Sequence, residues 1–471
     1  MTRLLPLGGR PAVSGALLAL CVIAHPPTAA RGAPQAPPLL QECTFSVEER
    51  AAIARWLDGH AVGIAIPRHA PDDGQDAGAT RMAEALERGS IIGLGEATHG
   101  SQEEQVVRFG LVRALVSAGK VSVIAIEANR LPSEALNRYI GGEPGDLARI
   151  MADPALFDVL RTDEFTRLLQ WLRRWNSKSG HPRITLVGVD VQDPANELRT
   201  ALAMVADGPD HDKVARLRQI AGPLLADEAA KLADWLSAAT YAQHQEQLRN
   251  ARALRDFIRA EMPRQRRALM LVENAVAGLE AFEYYPVDAR SMAIPPDFVG
   301  RRDRAIARNV QAAAEQGRLV FLAHDTHVVA APASYRHITA PSVGSDLRQK
   351  LGTQYVTVNF AWGTGAVKAI DLSALNSPGG KMPNRTEVRL PAAEEGDLAF
   401  LLKGSSAQSF WFRPDWLPAV SWGSKLRDCP MGRRWVGAAI DPAAWDTTKG
   451  LHALSKGTDL LVWIRDISPS L

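Results

Sequence analysis

The sequence predicts an α/β fold, with a mainly parallel sheet flanked by helices and an all-helical insertion. Continuous apolar runs rich in β-branched residues recur along the chain, as is typical of strands that are buried on both faces. Helical patterns lie between several of these runs, which favours right-handed strand–helix–strand crossovers. One long stretch, residues 196–285, contains helical patterns and no good strand.

The candidate strands are short, and most are continuous apolar runs rather than the alternating pattern of a half-exposed sheet. They are Ile91–Leu94, Val121–Ile126, Ile184–Val189, Leu319–Ala323, Tyr355–Phe360, Val367–Ile370 and Leu460–Ile464. The patterns between them predict helices at Gln102–Ala118, Thr162–Trp175 and Arg304–Glu315. Residues 34–195 and 286–471 are therefore expected to form one α/β core. The insertion at 196–285 is expected to form either a lid over a cleft or a plain helical cover for the sheet.

The first 33 residues are typical of a secretory signal peptide. Arg3 and Arg10 give a positive start, Ala12 to Ala24 is apolar, and small residues before position 34 offer cleavage sites. The apolar core is too short for a comfortable membrane span, and no other stretch is long and apolar enough for one. The pattern predicts a periplasmic or secreted protein without a membrane span.

The net charge and the cysteine content bear on the kind of partner and on the redox state of the cysteines. The formal net charge is +2, and no long basic run occurs, so a nucleic-acid partner is not expected. Cys43 and Cys429 remain after signal removal. In an oxidising compartment they are expected to form a disulfide, with two unrelated buried thiols as the alternative.

Ionisable side chains follow four of the predicted strands. They are Glu96 and His99, then Glu127, then Asp190 with Gln192, and finally His324, Asp325 and His327. Ligands of an open parallel sheet bind outside the carboxyl ends of its strands, so these residues are predicted to converge on one crevice. Each alone has a structural explanation; Glu127, for example, could pair with Arg130 nearby.

The helix after the first of these segments is predicted to begin with a capping box. Ser101 is the expected N-cap, and Glu104 is expected to reach back to it. The positive end of this helix would then point at the turn that carries His99. Arg108 either pairs with Glu104 one turn away or reaches the crevice, where it could bind a carboxylate or an oxyanion.

The segment Gly93-Leu94-Gly95-Glu96-Ala97-Thr98-His99-Gly100 resembles the hallmark of the erythromycin esterase family. Similar segments follow in the expected order over roughly residues 85 to 465. They are Ala125 to Asn129, Trp171 to Asn176, Gly188 to Gln192, Arg302 to Asn309, Ala323 to Val328 and Gly344 to Arg348. One departure is Asp325, where the resemblance leads us to expect Asn; its extra negative charge could favour a bound cation.

The resemblance implies hydrolysis of a small-molecule ester or lactone by water, without a Ser or Cys nucleophile and without a metal or other cofactor. It implies that His99 is the general base and that Glu96 and Glu127 orient it or hold the water. It assigns carbonyl binding to Arg108 and to His327 or His324. We expect Arg302, Gln192 and Asp190 to contact the substrate.

Two other functions remain open at this stage. Glu96, His99, Glu127, His324 and His327 could instead bind zinc or manganese in a metal-dependent hydrolase. A non-enzymatic periplasmic protein that binds haem or a small cofactor is the second alternative. A serine hydrolase is not expected, because no Gly-x-Ser-x-Gly segment lies at a strand-to-helix turn.

Overall fold

The centre of the molecule is a largely parallel sheet, seen here in a computed structural model. The structure describes residues 43–70, 77–87, 89–206, 210–225, 240–281, 296–334, 339–373, 384–445 and 449–471. The predicted signal peptide and Cys21 lie outside the described residues. No helix within those ranges is both long and apolar enough to cross a membrane.

Fourteen strands are found in the described residues, and ten of them form the main sheet. They are β1 Val62–Gly63, β2 Ile91–Leu94, β3 Val123–Asn129, β4 Thr185–Asp190, β5 Leu319–Leu322, β6 Ala333–Ser334, β7 Thr339–Ala340, β8 Tyr355–Asp371, β9 Thr386–Arg389, β10 Ser409–Phe412, β11 Met431–Arg433, β12 Ala439–Ile440, β13 Gly450–His452 and β14 Leu460–Ile467. Eight run in the order β1-β10-β14-β8-β2-β5-β3-β4, with β9 and β12 paired to β8. All pairs from β14 to β4 are parallel, which confirms the predicted fold class.

The helices lie on both faces of this sheet. They are α1 Val47–His60, α2 Ala77–Ala85, α3 Gln102–Ser117, α4 Arg130–Ile140, α5 Leu147–Met151, α6 Asp163–Asn176, α7 Pro194–Ala206, α8 His211–Leu225, α9 Tyr241–Glu261, α10 Arg266–Ala281, α11 Pro296–Ala314, α12 Asp325–Val328, α13 Val343–Leu351, α14 Leu398–Leu402, α15 Ser421–Asp428 and α16 Leu454–Gly457.

Burial on both faces explains why the central strands are continuous apolar runs. In β2 the side chains of Ile92 and Leu94 pack in one core cluster that includes Leu115 of α3, while Ile91 packs in a second cluster that includes Val310 of α11. The strands β3 and β5 divide in the same way between the two clusters. Each residue of such a strand therefore gains free energy by leaving water, whichever face it occupies.

Only helices lie between β4 and β5 in the described residues, which confirms the predicted helical insertion. The helices α7, α8, α9 and α10 lie in this region, and parts of the predicted stretch 196–285, such as residues 226–239, lie outside the described residues. These helices have a core cluster of their own, which includes Leu198, Leu254 and Leu271. The insertion therefore packs as a unit beside the sheet.

Two features of the sheet differ from the prediction. The runs Tyr355–Phe360 and Val367–Ile370 belong to a single strand, β8, because the glycines between them do not end it. Gly365 has φ +135° and lies so close to β14 that a Cβ atom there would sit 2.0 Å from the Ile467 carbonyl oxygen. The antiparallel strand β10 was not predicted; four residues are too few for a clear periodicity.

Cys43 and Cys429 form a disulfide, which confirms the predicted pairing. Their Cα atoms are 6.2 Å apart, although 386 residues separate them in the chain. The bond ties the segment before α1 to the residue that follows α15. Cys43 packs against the core cluster that includes Phe410 of β10 and Trp463 of β14.

Candidate active site

Four neighbouring strands carry the predicted site residues. In the sheet β2 pairs with β5, β5 with β3, and β3 with β4, all in parallel. The carboxyl ends of these strands therefore lie side by side, as the sequence predicted. The side chains divide into two groups, each built around one histidine, which we call the His99 group and the His327 group.

The His99 group consists of Glu96, His99 and Arg108. Glu96 Oε1 lies 2.7 Å from His99 Nδ1, and its Oε2 accepts a hydrogen bond from the Arg108 guanidinium. All three side chains are buried, with at most 8% of any of them exposed. Because Glu96 accepts at Nδ1, the proton of a neutral His99 lies on Nδ1, and Nε2 keeps its lone pair.

The turn before α3 is held differently from the predicted capping box. Ser101 is the N-cap and its hydroxyl accepts from the Glu104 N–H, as expected. The Glu104 carboxyl, however, does not bond back to Ser101; it accepts from the backbone N–H of Thr98 at 3.0 Å. The reason is spatial: the chain curls over the helix start, so Thr98 comes within reach of this side chain. Arg108 donates to Glu96 and not to Glu104, and its predicted role in binding an oxyanion stays a prediction.

The His327 group consists of His327 with two carboxylates and Arg302. His327 Nδ1 lies 2.9 Å from Asp303 Oδ1, and its Nε2 lies 3.2 Å from Glu127 Oε1. Burial opposes a charge on the ring, but the two carboxylates outweigh it and raise the pKa of His327 to about 10. His327 is therefore an imidazolium at neutral pH. Asp303 was not among the predicted site residues, although it lies within the family-like segment that begins at Arg302.

Arg302 binds other protein groups in this structure. Its Nε and Nη2 donate to the two oxygens of Asp190 at 3.0 and 2.6 Å, and Nη2 also donates to Glu127 at 3.0 Å. Gln192 Nε2 donates to Asp190 at 2.8 Å. Arg302, Asp190 and Gln192 thus lie at the predicted crevice, where they hold one another and Glu127. Their predicted contact with substrate stays a prediction.

Glu127 is ionised despite its burial. Desolvation alone would raise its pKa, but His327 and Arg302 hold the pKa well below the ordinary value. Its second oxygen accepts from the backbone N–H of His324 at 3.0 Å. The alternative pairing of Glu127 with Arg130 is not the one found; Glu127 instead links the ends of β3 and β5.

His324 acts as the N-cap of the short helix α12. Its Nδ1 contacts Thr326, and its Nε2 donates to the Ala97 carbonyl oxygen at 3.1 Å. Burial, and then repulsion from His99, place the pKa of His324 well below its ordinary value, so the ring is neutral. The ring centroids of His324 and His99 are 4.9 Å apart, so the two rings lie side by side.

Asp325 faces strand β8 and its own loop. Its carboxylate accepts from the Phe360 N–H at 3.0 Å and from Asn359 Nδ2 at 3.1 Å, and Arg433 lies 3.7 Å away. Burial raises the pKa of Asp325 to about 6. A Cβ atom on Gly95 would lie 1.8 Å from Asp325 Oδ1, so this contact requires a glycine at the start of the hallmark segment.

The five side chains considered for metal binding already have protein partners. Among the described residues, no group of three or more His, Cys, Asp and Glu side chains is arranged to hold a metal ion. Glu96 binds Arg108 and His99, and His327 lies between two carboxylates. A metal bound by these residues would have to displace those contacts.

The protein is thus an α/β protein that carries two groups of histidine and carboxylate side chains at the carboxyl ends of its parallel strands. The chain belongs to the erythromycin esterase family, whose model matches residues 116–467. The matched region begins after the hallmark segment, which ends at Gly100, and includes Glu127, Arg302 and His327. Membership in this family indicates a hydrolase.

Two curated relatives are similar in sequence. "Erythromycin esterase type I" of Escherichia coli is 27% identical over 128 residues, which are 27% of this chain and 30% of that protein. "Putative hydrolase YbfO" of Bacillus subtilis (strain 168) is 22% identical over 468 residues, 92% of this chain and 97% of that protein. The chain thus matches less than a third of the length of the first relative and nearly all of the second.

Three solved structures share the fold. A succinoglycan biosynthesis protein is 17% identical with a TM-score of 0.73, and the alignment covers 90% of this chain and 99% of that protein's chain. A Bacillus cereus protein is 18% identical with a TM-score of 0.72, covering 89% and 98%. A mutant erythromycin esterase in its open conformation is 18% identical with a TM-score of 0.64, covering 83% and 94%. At these identities the likeness shows the fold alone.

Proposed function

We propose that this protein is an exported hydrolase that cleaves an ester or lactone bond by direct attack of water. The observation that carries the proposal is the contact of 2.7 Å between Glu96 Oε1 and His99 Nδ1. It fixes the ring and its tautomer, so that Nε2 can act as a base.

The first step is proton abstraction from water. His99 Nε2 takes a proton, the water oxygen bonds to the carbonyl carbon, and the carbonyl π electrons move to the oxygen. Glu96 stabilises the imidazolium that forms, as a carboxylate does in other histidine-based hydrolases. Arg108, bound to the other oxygen of Glu96, holds that carboxylate in place.

The tetrahedral oxyanion needs a positive charge that is present before the reaction begins. We assign this charge to the His327 imidazolium, which is protonated at neutral pH and whose Nε2 would turn from Glu127 to the oxyanion. When the intermediate collapses, the bond to the alkoxy oxygen breaks, and the leaving alkoxide takes the proton from His99 Nε2. The products are a carboxylic acid and an alcohol, and the base is free again.

Export is supported by two independent observations. The first 33 residues have the layout of a signal peptide. The disulfide between Cys43 and Cys429 is a bond that persists in oxidising compartments and is rare in the cytosol. Expression of the full chain and of a chain that begins at residue 34, followed by cell fractionation, tests this; export of both forms to the same extent would contradict it.

The activity is tested with a panel of simple esters, small lactones and macrolide lactones. Macrolides belong in the panel because of the name of the E. coli relative. His99→Ala is expected to remove the activity on every substrate found, and His211→Ala, which alters an exposed histidine at the start of α8, is the matched control. In H₂¹⁸O the acid product is expected to carry one heavy oxygen. Full activity of His99→Ala would contradict the mechanism.

A further inference from the structure

A third acidic side chain lies directly under the turn that carries His99. Glu104 is fully buried on α3, and its Oε2 accepts from the Thr98 N–H at 3.0 Å. Its other oxygen, Oε1, has no hydrogen-bond partner among the described residues. The proposed hydrolysis uses neither oxygen of this residue, so the cost of burying a carboxyl at this position has to be explained by what it holds.

The positive charges near Glu104 are too few to balance a third carboxylate at this position. Its neighbours include the carboxyls of Glu96 and Asp325 and the guanidinium of Arg108. Arg108 is already bound to Glu96, and Arg433 lies beside Asp325. Burial, followed by repulsion from Asp325, raises the pKa of Glu104 well above its ordinary value; the Thr98 N–H opposes this only in part.

We propose that Glu104 is a positioning residue for the base: as an uncharged carboxylic acid it holds the Thr98 N–H, and through it the backbone of His99, without competing with Glu96 for Arg108. The catalytic part of this inference rests on the proposed function. The structural part concerns only the turn and can be tested without a substrate.

An ionised Glu104 would have a specific effect on the site. A second carboxylate near Arg108 would compete with Glu96 for the same guanidinium, and Glu96 would then hold His99 less firmly. A neutral side chain of the same shape avoids this competition. The sequence places a second acid, Glu103, at the adjacent position, where it binds the Ser468 hydroxyl and N–H at 2.6 and 2.7 Å on the outer side of the helix.

The first experiment measures hydrogen exchange of the Thr98 amide in the wild type, Glu104→Gln, Glu104→Ala and the control Glu103→Gln. Glutamine can accept from Thr98 as the protonated acid does. We expect exchange within about twofold of the wild type in Glu104→Gln and Glu103→Gln, and roughly five- to tenfold faster in Glu104→Ala, as for the loss of one hydrogen bond. Fast exchange in Glu104→Gln, or unchanged exchange in Glu104→Ala, would overturn the positioning role.

The second experiment tests the uncharged state through stability. A carboxyl whose pKa is raised in the folded state makes the fold less stable as pH rises above its unfolded value of 4.5. The melting temperature of Glu104→Gln relative to the wild type is therefore expected to increase with pH above 4.5, whereas that of Glu103→Gln is not. A pH-independent difference for Glu104→Gln would show that Glu104 is charged. This readout remains available if Glu104→Ala does not fold.

The third experiment uses any substrate that the wild type turns over. Glu104→Gln is expected to keep kcat near neutral pH and to extend activity to higher pH, and Glu104→Ala is expected to lower kcat more than it raises KM. An equal loss of kcat in both variants would overturn the inference. Full activity of His99→Ala would instead overturn the proposed function, and the exchange and stability experiments would still decide the role of Glu104.

Discussion

The His99 group and the His327 group place the same residue type at two strand ends of one sheet, in opposite electrostatic settings. His99 faces a single carboxylate, Glu96, and that carboxylate is shared with Arg108. His327 has a carboxylate at each ring nitrogen, Asp303 at Nδ1 and Glu127 at Nε2. One ring keeps a lone pair for a proton, and the other is held as a cation.

This difference shows that the number of carboxylates around a histidine decides its chemistry. A single acceptor at Nδ1 orients a neutral ring and leaves Nε2 able to act as a base. Acceptors at both nitrogens favour the form with two N–H donors, which is why the pKa of His327 rises to about 10. The hydrolysis that we propose assigns the first setting to the base and the second to its electrophilic partner.

The largest effect is expected from Glu96→Gln, which removes the charge that supports His99. A neutral amide stabilises the imidazolium poorly and leaves Arg108 without its anionic partner, so kcat is expected to fall by about 10²- to 10⁴-fold. Steady-state kinetics on a substrate of the wild type measure this. Glu87→Gln, at a largely exposed surface acid, is the control. A loss of less than threefold would mean that the His99 group does not depend on its carboxylate.

Asp303→Asn is expected to make His327 resemble His99 more closely. The ring keeps one acceptor at Nδ1 but loses a full charge, so the pKa of His327 should fall from about 10 toward its ordinary value. If the imidazolium stabilises the oxyanion, kcat at neutral pH should fall by about 10²-fold. An NMR titration of the His327 ring together with kinetics checks both parts. An unchanged ring pKa would show that Asp303 is not the group that charges it.

The charge on His327 should also appear in the stability of the fold. Its folded pKa of about 10 exceeds the ordinary 6.5, so its contribution is complete below pH 6.5 and is lost as pH rises through 10. The wild type should therefore lose stability, on the order of a few kcal/mol, over this window, and His327→Gln should lose less. Chemical denaturation at several pH values measures both. Parallel pH curves for the two proteins would rule out a charged His327.

The smallest effect on catalysis is expected from a change that leaves both groups intact. Cys43→Ser with Cys429→Ser removes the disulfide, which contacts neither group. The free energy of unfolding should fall by about 2–5 kcal/mol, as for other native disulfides, while kcat stays unchanged at a temperature where the variant is folded. A parallel loss of kcat would show that the two groups depend on the disulfide.

The sequence predicted which residues lie in the two groups better than it predicted the contacts that those residues make. Strand ends followed by ionisable residues located His99, His327 and Glu127, because in a parallel sheet the order of apolar runs sets where those ends meet. It did not predict that Asp303 charges His327, since the contact joins residues 24 positions apart on α11 and α12. The prediction that Glu104 bonds back to Ser101 was wrong for the same reason. Local spacing favours Ser101, and only the path of the turn brings the Thr98 N–H closer.

By itself the sequence determined the α/β class, the helical insertion and the edge of the sheet where the candidate site lies. Those features follow from hydrophobic periodicity and composition, which act along the chain. The tertiary structure decided that His327 is charged, that His324 caps a helix, and that Arg302 holds Asp190 and Glu127. These properties depend on burial and on charges brought together from distant segments, and no local pattern encodes them.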